Sequence, residues 1–90
     1  YIVSSVNNIG EGAFYNNTCI EHMVLPDSVT RIDDSAFRGC VSLKTVVIPS
    51  SVSEFGWGLF SGCDKVTIIC EGRSAAAKYC ATNNIAYKEK

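Results

Sequence analysis

The chain has 90 residues, of which 47% are apolar, a composition typical of one globular domain rather than of an intrinsically disordered segment. Its apolar runs are only a few residues long, whereas a membrane-spanning helix needs roughly 18, so we expect no membrane insertion. The formal net charge is −1 and the eight Lys and Arg residues are scattered, which argues against binding of nucleic acid.

The sequence repeats itself with a period of 23 residues, seen most clearly in Phe14, Phe37 and Phe60. Other apolar residues recur at the same spacing in the columns Val6/Val29/Val52, Ile9/Ile32/Phe55, Ala13/Ala36/Leu59, Ile20/Leu43/Val66 and Met23/Val46/Ile69. A fixed period in this range is typical of a solenoid, in which each unit buries its apolar side on the next. The sequence therefore predicts stacked coils with a column of phenylalanine rings in the core.

Each coil is predicted to contain one short strand and one tight turn. In the middle coil, the inward residues Val46 and Ile48 alternate with the outward residues Thr45 and Val47, as a half-buried strand requires. Pro49 then removes a backbone donor and ends the strand. Phe37 and Cys40 have the spacing of a single helical or 3₁₀ turn. Gly39 lies where a left-handed residue lets the chain reverse direction.

The end of the chain departs from the repeat. We predict a repeat region over residues 1–73 and a cap over residues 74–90, which closes the apolar end of the array. Ser74 is the expected N-cap of an alanine-rich helix that ends near Asn83, and a closing strand is expected around residues 85–87.

The start of the chain has no corresponding cap. Tyr1, Ile2 and Val3 align with residues 24–26, within a predicted strand. An open end would expose apolar surface and a strand edge, so we expect this chain to be the C-terminal part of a longer array.

Five cysteines make an odd number, and Cys40 and Cys63 occupy the same position in successive coils. Adjacent coils are spaced like paired strands, about 4.8 Å apart, a separation at which a disulfide remains possible. We expect free thiols, because a buried cysteine packs as a small hydrophobic residue.

Three blocks of the chain share a more specific pattern: "IGEGAFYNNTCIEHMVLPDSV", "IDDSAFRGCVSLKTVVIPSSV" and "FGWGLFSGCDKVTII". They resemble the BspA-type (Treponema pallidum-type) leucine-rich repeat, and the segment "CEGRSAAAKYCATNNIAYK" is similar to the end segment of such arrays. The resemblance implies an α/β solenoid: a right-handed superhelix with short parallel strands, short helical or 3₁₀ turns and a C-terminal capping helix. It also implies a secreted or cell-surface protein, often one that acts in adhesion.

Two surface features are candidates for contact with a partner. The first is the outward side of the predicted strands, where an apolar row marks either a contact surface or a region covered by neighbouring chain. Its residues are His22, Val24, Thr45, Val47, Ile68 and Cys70. The second is Trp57, on a turn where the equivalent residues are acidic, which is either a binding hot spot or a side chain packed locally over the cap.

The sequence offers little for catalysis or metal binding. His22 is the only histidine, and a pair with Cys19 would still need an orienting group and an oxyanion site. The cysteines lack the close spacing of a zinc site, and Asp33-Asp34 is expected to be a solvated turn rather than a calcium site. We therefore expect no enzyme activity, no metal and no cofactor. Asn16-Asn17-Thr18 is a formal N-glycosylation sequon.

Two functions fit these observations. The first is a non-catalytic protein-interaction module, whose rigid strand face binds a protein partner, such as a host surface or matrix protein, as part of a longer array. The second is a purely structural end segment that closes a solenoid whose binding surface lies upstream.

Overall fold

A computed structural model describes residues 7–89 and places seven strands and one helix in them. The strands are β1 (Asn8–Ile9), β2 (His22–Val24), β3 (Arg31–Ile32), β4 (Thr45–Val47), β5 (Glu54–Phe55), β6 (Thr67–Cys70) and β7 (Tyr87–Glu89), and the helix is α1 (Ala75–Thr82). They form two parallel sheets, of order β1-β3-β5 and β2-β4-β6-β7. This arrangement is a solenoid of about four turns and confirms the predicted fold class. The predicted mid-strand start at residues 1–3 lies outside the described residues.

The phenylalanine column forms as predicted. The ring centroids of Phe14 and Phe37 are 5.3 Å apart, and those of Phe37 and Phe60 are 5.5 Å apart, with interplanar angles of 7° and 5°. Phe37 is fully buried, whereas Phe14, in the first described coil, is only partly buried. The stacked rings therefore join three successive coils into one core.

The turns that carry these rings combine two kinds of backbone hydrogen bond. Within the middle turn, the Cys40 N–H donates to the Phe37 carbonyl at 3.2 Å, the i to i+3 bond expected of a 3₁₀-type turn. Between coils, the Phe37 N–H donates to the Leu59 carbonyl at 3.1 Å. Gly39 and Gly62 have φ values of 80° and 83°, the left-handed conformation that the reversal requires.

The strand register shows that one prediction is wrong. Met23 pairs with Val46, an offset of 23 residues, but Val46 pairs with Ile68, an offset of 22. Ile68 and Cys70 are therefore fully buried and do not belong to the outward row. Ile69 takes the outward position, so the predicted column Met23/Val46/Ile69 ends in Ile68 instead.

The cause of this shift is that the chain is one residue shorter before β6 than before β4. Two residues separate Leu43 from Val46, whereas only Thr67 separates Val66 from Ile68. In the longer coil, the Glu21 carbonyl accepts hydrogen bonds from the N–H groups of both Lys44 and Thr45. In the shorter coil, the N–H of Thr67 alone donates to the carbonyl of Lys44.

The segment after residue 73 packs against the last coil. The side chain of Ser74 accepts a hydrogen bond from the Ala77 N–H at 3.2 Å, which confirms the predicted N-cap of α1. Ala76 and Cys80 on the inner side of the helix are fully buried. The closing strand β7 pairs in parallel with β6, but it begins at Tyr87, two residues later than predicted.

The two cysteines at equivalent positions are free thiols and not a disulfide, and each donates to backbone. The Cys40 thiol donates to the Phe14 carbonyl, and the Cys63 thiol donates to the Phe37 carbonyl, each at 3.0 Å. Each buried thiol thus finds an acceptor in a carbonyl of the preceding coil, so its S–H donor is not left unpaired.

Candidate protein-interaction face

The outward side of the sheet β2-β4-β6 carries a row of three aliphatic side chains. Val24, Val47 and Ile69 pair in register across the three strands, and we call them the aliphatic row. Val24 is 40% exposed, and the other two are half-buried. Since neighbouring strands lie about 4.8 Å apart, the row extends over roughly 10 Å of the surface.

A second row lies beside the first, two residues earlier in each strand. It consists of His22, Thr45 and Thr67, which are also in register, and we call it the polar row. Nδ1 of His22 and Oγ1 of Thr45 are 2.7 Å apart and share a hydrogen bond. At its edge, Lys44 and Glu21 form an ion pair at 3.3 Å, but both side chains are more than half exposed, so the pair adds little stability.

The structure brings four of the predicted site residues together on this face: His22, Val24, Thr45 and Val47. Ile68, the fifth member of the predicted row, points into the core and is replaced by Ile69. Sequence reasoning missed Ile69 because two isoleucines stand side by side in "TIIC", and either could be the outward one. The deletion next to Thr67, seen by comparing Val66 with Leu43, is the signal that separates them.

Trp57 lies in the turn after β5, outside the sheet that carries both rows. Its side chain is 67% exposed, so the cap does not cover it as the local-packing interpretation requires. The backbone N–H of Trp57 donates to Oδ1 of Asp34 in the preceding coil at 3.0 Å. This bond fixes the turn and leaves the indole ring in solvent.

The carboxylates on and next to the sheet β1-β3-β5 already have partners in the protein. Arg31 forms ion pairs with Asp33 and with Glu54, the latter at 3.7 Å, and Nδ2 of Asn8 donates to Asp33 at 3.2 Å. Asp34 accepts from the Trp57 backbone. The described residues contain no group of three or more His, Cys, Asp or Glu side chains arranged to hold a metal ion.

The thiols of the core are poor nucleophiles. Burial raises the pKa of Cys63 to about 11, with a smaller opposing effect from a backbone hydrogen bond. Burial likewise raises the pKa of Cys80 to about 11, and the nearby Cys70 adds to the shift. These thiols therefore stay protonated at neutral pH, whereas the form of cysteine that reacts as a nucleophile is the thiolate.

Within residues 7–89, the only helix is too short to cross a bilayer. The face described above belongs to a solenoid that presents side chains from parallel strands, with an aliphatic row and a polar row, and the part of the chain that the structure describes holds no cluster arranged as a metal centre.

Comparison with known proteins identifies one family. Its model, described as the BspA type leucine rich repeat region, matches residues 1–86 in six copies. Comparisons with curated proteins and with solved structures give no match. Leucine-rich repeats generally mediate protein–protein interaction, and their solenoid is typically non-catalytic.

Proposed function

Since this chain belongs to the BspA-type leucine-rich repeat family, we propose that it is a non-catalytic module that binds a protein partner through the aliphatic row. The observation that carries the proposal is the alignment of Val24, Val47 and Ile69 on the outside of one parallel sheet. An aliphatic row at the surface gains free energy when a partner removes it from water.

The backbone holds this row in a fixed arrangement before any partner binds. The Leu25 N–H donates to the Val47 carbonyl at 3.0 Å, and the Ile48 N–H donates to the Ile69 carbonyl at 2.9 Å. Because the backbone that carries these side chains is already ordered, less conformational entropy is lost on binding. The two rows together supply six side chains, whereas a stable interface uses roughly 20 to 30 residues on each side, so these coils alone bind weakly.

The family is typically found at the cell surface or among secreted proteins, and we propose an extracellular location with a role in adhesion. The partner would then be a host surface or matrix protein. A longer array of coils would extend the aliphatic row and supply the area that a stable complex needs.

A binding measurement with matched variants tests this proposal. Wild-type protein is passed over immobilised matrix proteins and cell-surface ectodomains, and dissociation constants are compared with those of Val47→Lys and Val24→Lys. Val41→Lys is the control, because Val41 is 51% exposed but lies outside both rows. We expect the row variants to weaken binding at least tenfold and the control to retain it. Equal binding by all four proteins would exclude the aliphatic row as the contact surface.

A structural capping role is the second candidate, favoured by the way residues 74–89 pack against the last coil. Cys80 of α1 is fully buried, and β7 extends the sheet by pairing with β6. We infer that this segment is a cap, and that truncation after Arg73 lowers the unfolding midpoint and promotes self-association. If the whole chain binds no partner while the truncation has this effect, capping is the better account.

A further inference from the structure

The sequon noted in the sequence lies at the tip of a turn. Asn16 has a φ of 57°, and its counterparts in the next two coils are the left-handed residues Gly39 and Gly62. Asparagine tolerates this conformation better than most residues, since its short polar side chain bonds locally. The turn therefore keeps its shape while it carries a side chain that the other coils lack.

The carboxamide of Asn16 lies on the surface against the bare backbone of Gly39. Its Oδ1 is 2.0 Å from the position that a Cβ atom on Gly39 would occupy, so only glycine permits this placement. The residue as a whole is exposed, as is Thr18, which completes the sequon. Asn16 and Thr18, the two residues on which N-glycosylation depends, are thus at the surface of the folded chain.

The neighbouring asparagine has a different role. Oδ1 of Asn17 accepts hydrogen bonds from the backbone N–H groups of Cys19, at 3.0 Å, and Ile20, at 3.2 Å. Asn17 is also half-buried, so its carboxamide is part of the turn. The carboxamide of Asn17 is thus engaged in the fold, whereas Asn16 is exposed.

From this arrangement we propose that Asn16 is an N-glycosylation site of the folded protein, with a lipid-linked oligosaccharide diphosphate as the donor class. A bond forms between Nδ2 of Asn16 and C1 of the first sugar, and the bond from C1 to the diphosphate oxygen breaks. The lipid diphosphate leaves with the electron pair, and Nδ2 loses one proton to the transferase. The site depends on the extracellular location proposed above, because only exported chains meet this donor.

The test is expression of the full chain behind a secretion signal in a eukaryotic host. Wild type is compared with Thr18→Ala, which removes the sequon but keeps Asn16, and with Thr18→Ser, which preserves it. Protein from the medium and from cells is treated with peptide N-glycosidase, which leaves aspartate at the modified position, and is then read by tandem mass spectrometry. The host supplies the export signal, so this result is independent of where the native protein resides.

We expect aspartate at position 16 in wild type and in Thr18→Ser, and complete loss of the modification in Thr18→Ala. The thermal midpoint should be the same before and after glycan removal, because the side chain is exposed. Unmodified wild-type protein in both fractions, or modification that persists in Thr18→Ala, would overturn the proposal. A glycan that lowers the midpoint would show that the folded turn does not accommodate it.

Discussion

The register of β6 predicts opposite effects on stability for substitutions of its two adjacent isoleucines. Ile68 is fully buried and pairs with Val46, whereas Ile69 is half-buried and pairs with the outward Val47. We compare Ile68→Lys with Ile69→Lys. A strict 23-residue period predicts that the second is the more damaging, and the structure predicts that the first is.

The magnitudes follow from burial. Truncation of a buried isoleucine costs about 2 to 5 kcal/mol, and a lysine in its place adds the desolvation of a charge, so we expect Ile68→Lys to cost more than about 4 kcal/mol. A chain of this length has a total stability of roughly 5 to 13 kcal/mol, so Ile68→Lys removes at least about a third of it. The lysine of Ile69→Lys can extend along the surface with its ammonium in water, at a cost of about 1 kcal/mol or less.

Urea unfolding followed by circular dichroism gives the free energy of unfolding of Ile68→Lys and of Ile69→Lys. Val46→Lys and Val47→Lys serve as a matched pair in β4, where the 23-residue offset from β2 holds, and they should show the same asymmetry as Ile68→Lys and Ile69→Lys. The reasoning is refuted if Ile69→Lys proves as destabilising as Ile68→Lys, because neither isoleucine would then face outward.

Three further predictions concern the core, the cap and the thiols. Phe37→Ala should cost about 3 to 5 kcal/mol in urea unfolding, and Phe14→Ala roughly half as much, since Phe37 is fully buried and Phe14 is only partly buried. Ser74→Ala should cost about 1 kcal/mol through loss of the helix N-cap, and Ser74→Asp should restore most of it. With iodoacetamide, the exposed Cys19 should react first and the buried Cys63 only on unfolding, as timed mass spectra would show. Because the pKa of Cys63 is raised on folding, its contribution to stability is complete below the ordinary thiol pKa and is lost as the pH rises towards about 11.

Much of this fold could be predicted because a few residues repeat at a strict interval. Phenylalanine recurs at the same spacing, and a large ring that stacks on its copy fixes the position of each coil. Ser74 before an alanine-rich stretch marked the start of the cap helix in the same direct way. In both places one side chain determines local structure, so the sequence signal is unambiguous.

The candidate site was less predictable, because its pattern is apolar in either register. In β6 the residues from Thr67 to Cys70 include two adjacent isoleucines, so a shift by one residue leaves an aliphatic side chain on each face. A strand with alternating polar and apolar residues would have excluded one register, since the wrong one buries a polar group. Here burial of Ile68 follows from the length of the connection and not from the pattern within the strand.

The missing residue also shows how a solenoid accommodates changes in repeat length. The offset between Phe37 and Phe60 stays at 23 residues, and so does that between Cys40 and Cys63, while the paired strands that follow shift to 22. Each coil bonds only to its neighbours, so a deletion is absorbed where it falls and the columns on either side keep their own register. Coil length therefore selects which aliphatic residue reaches the outer face and which is buried, while the phenylalanine column keeps its spacing.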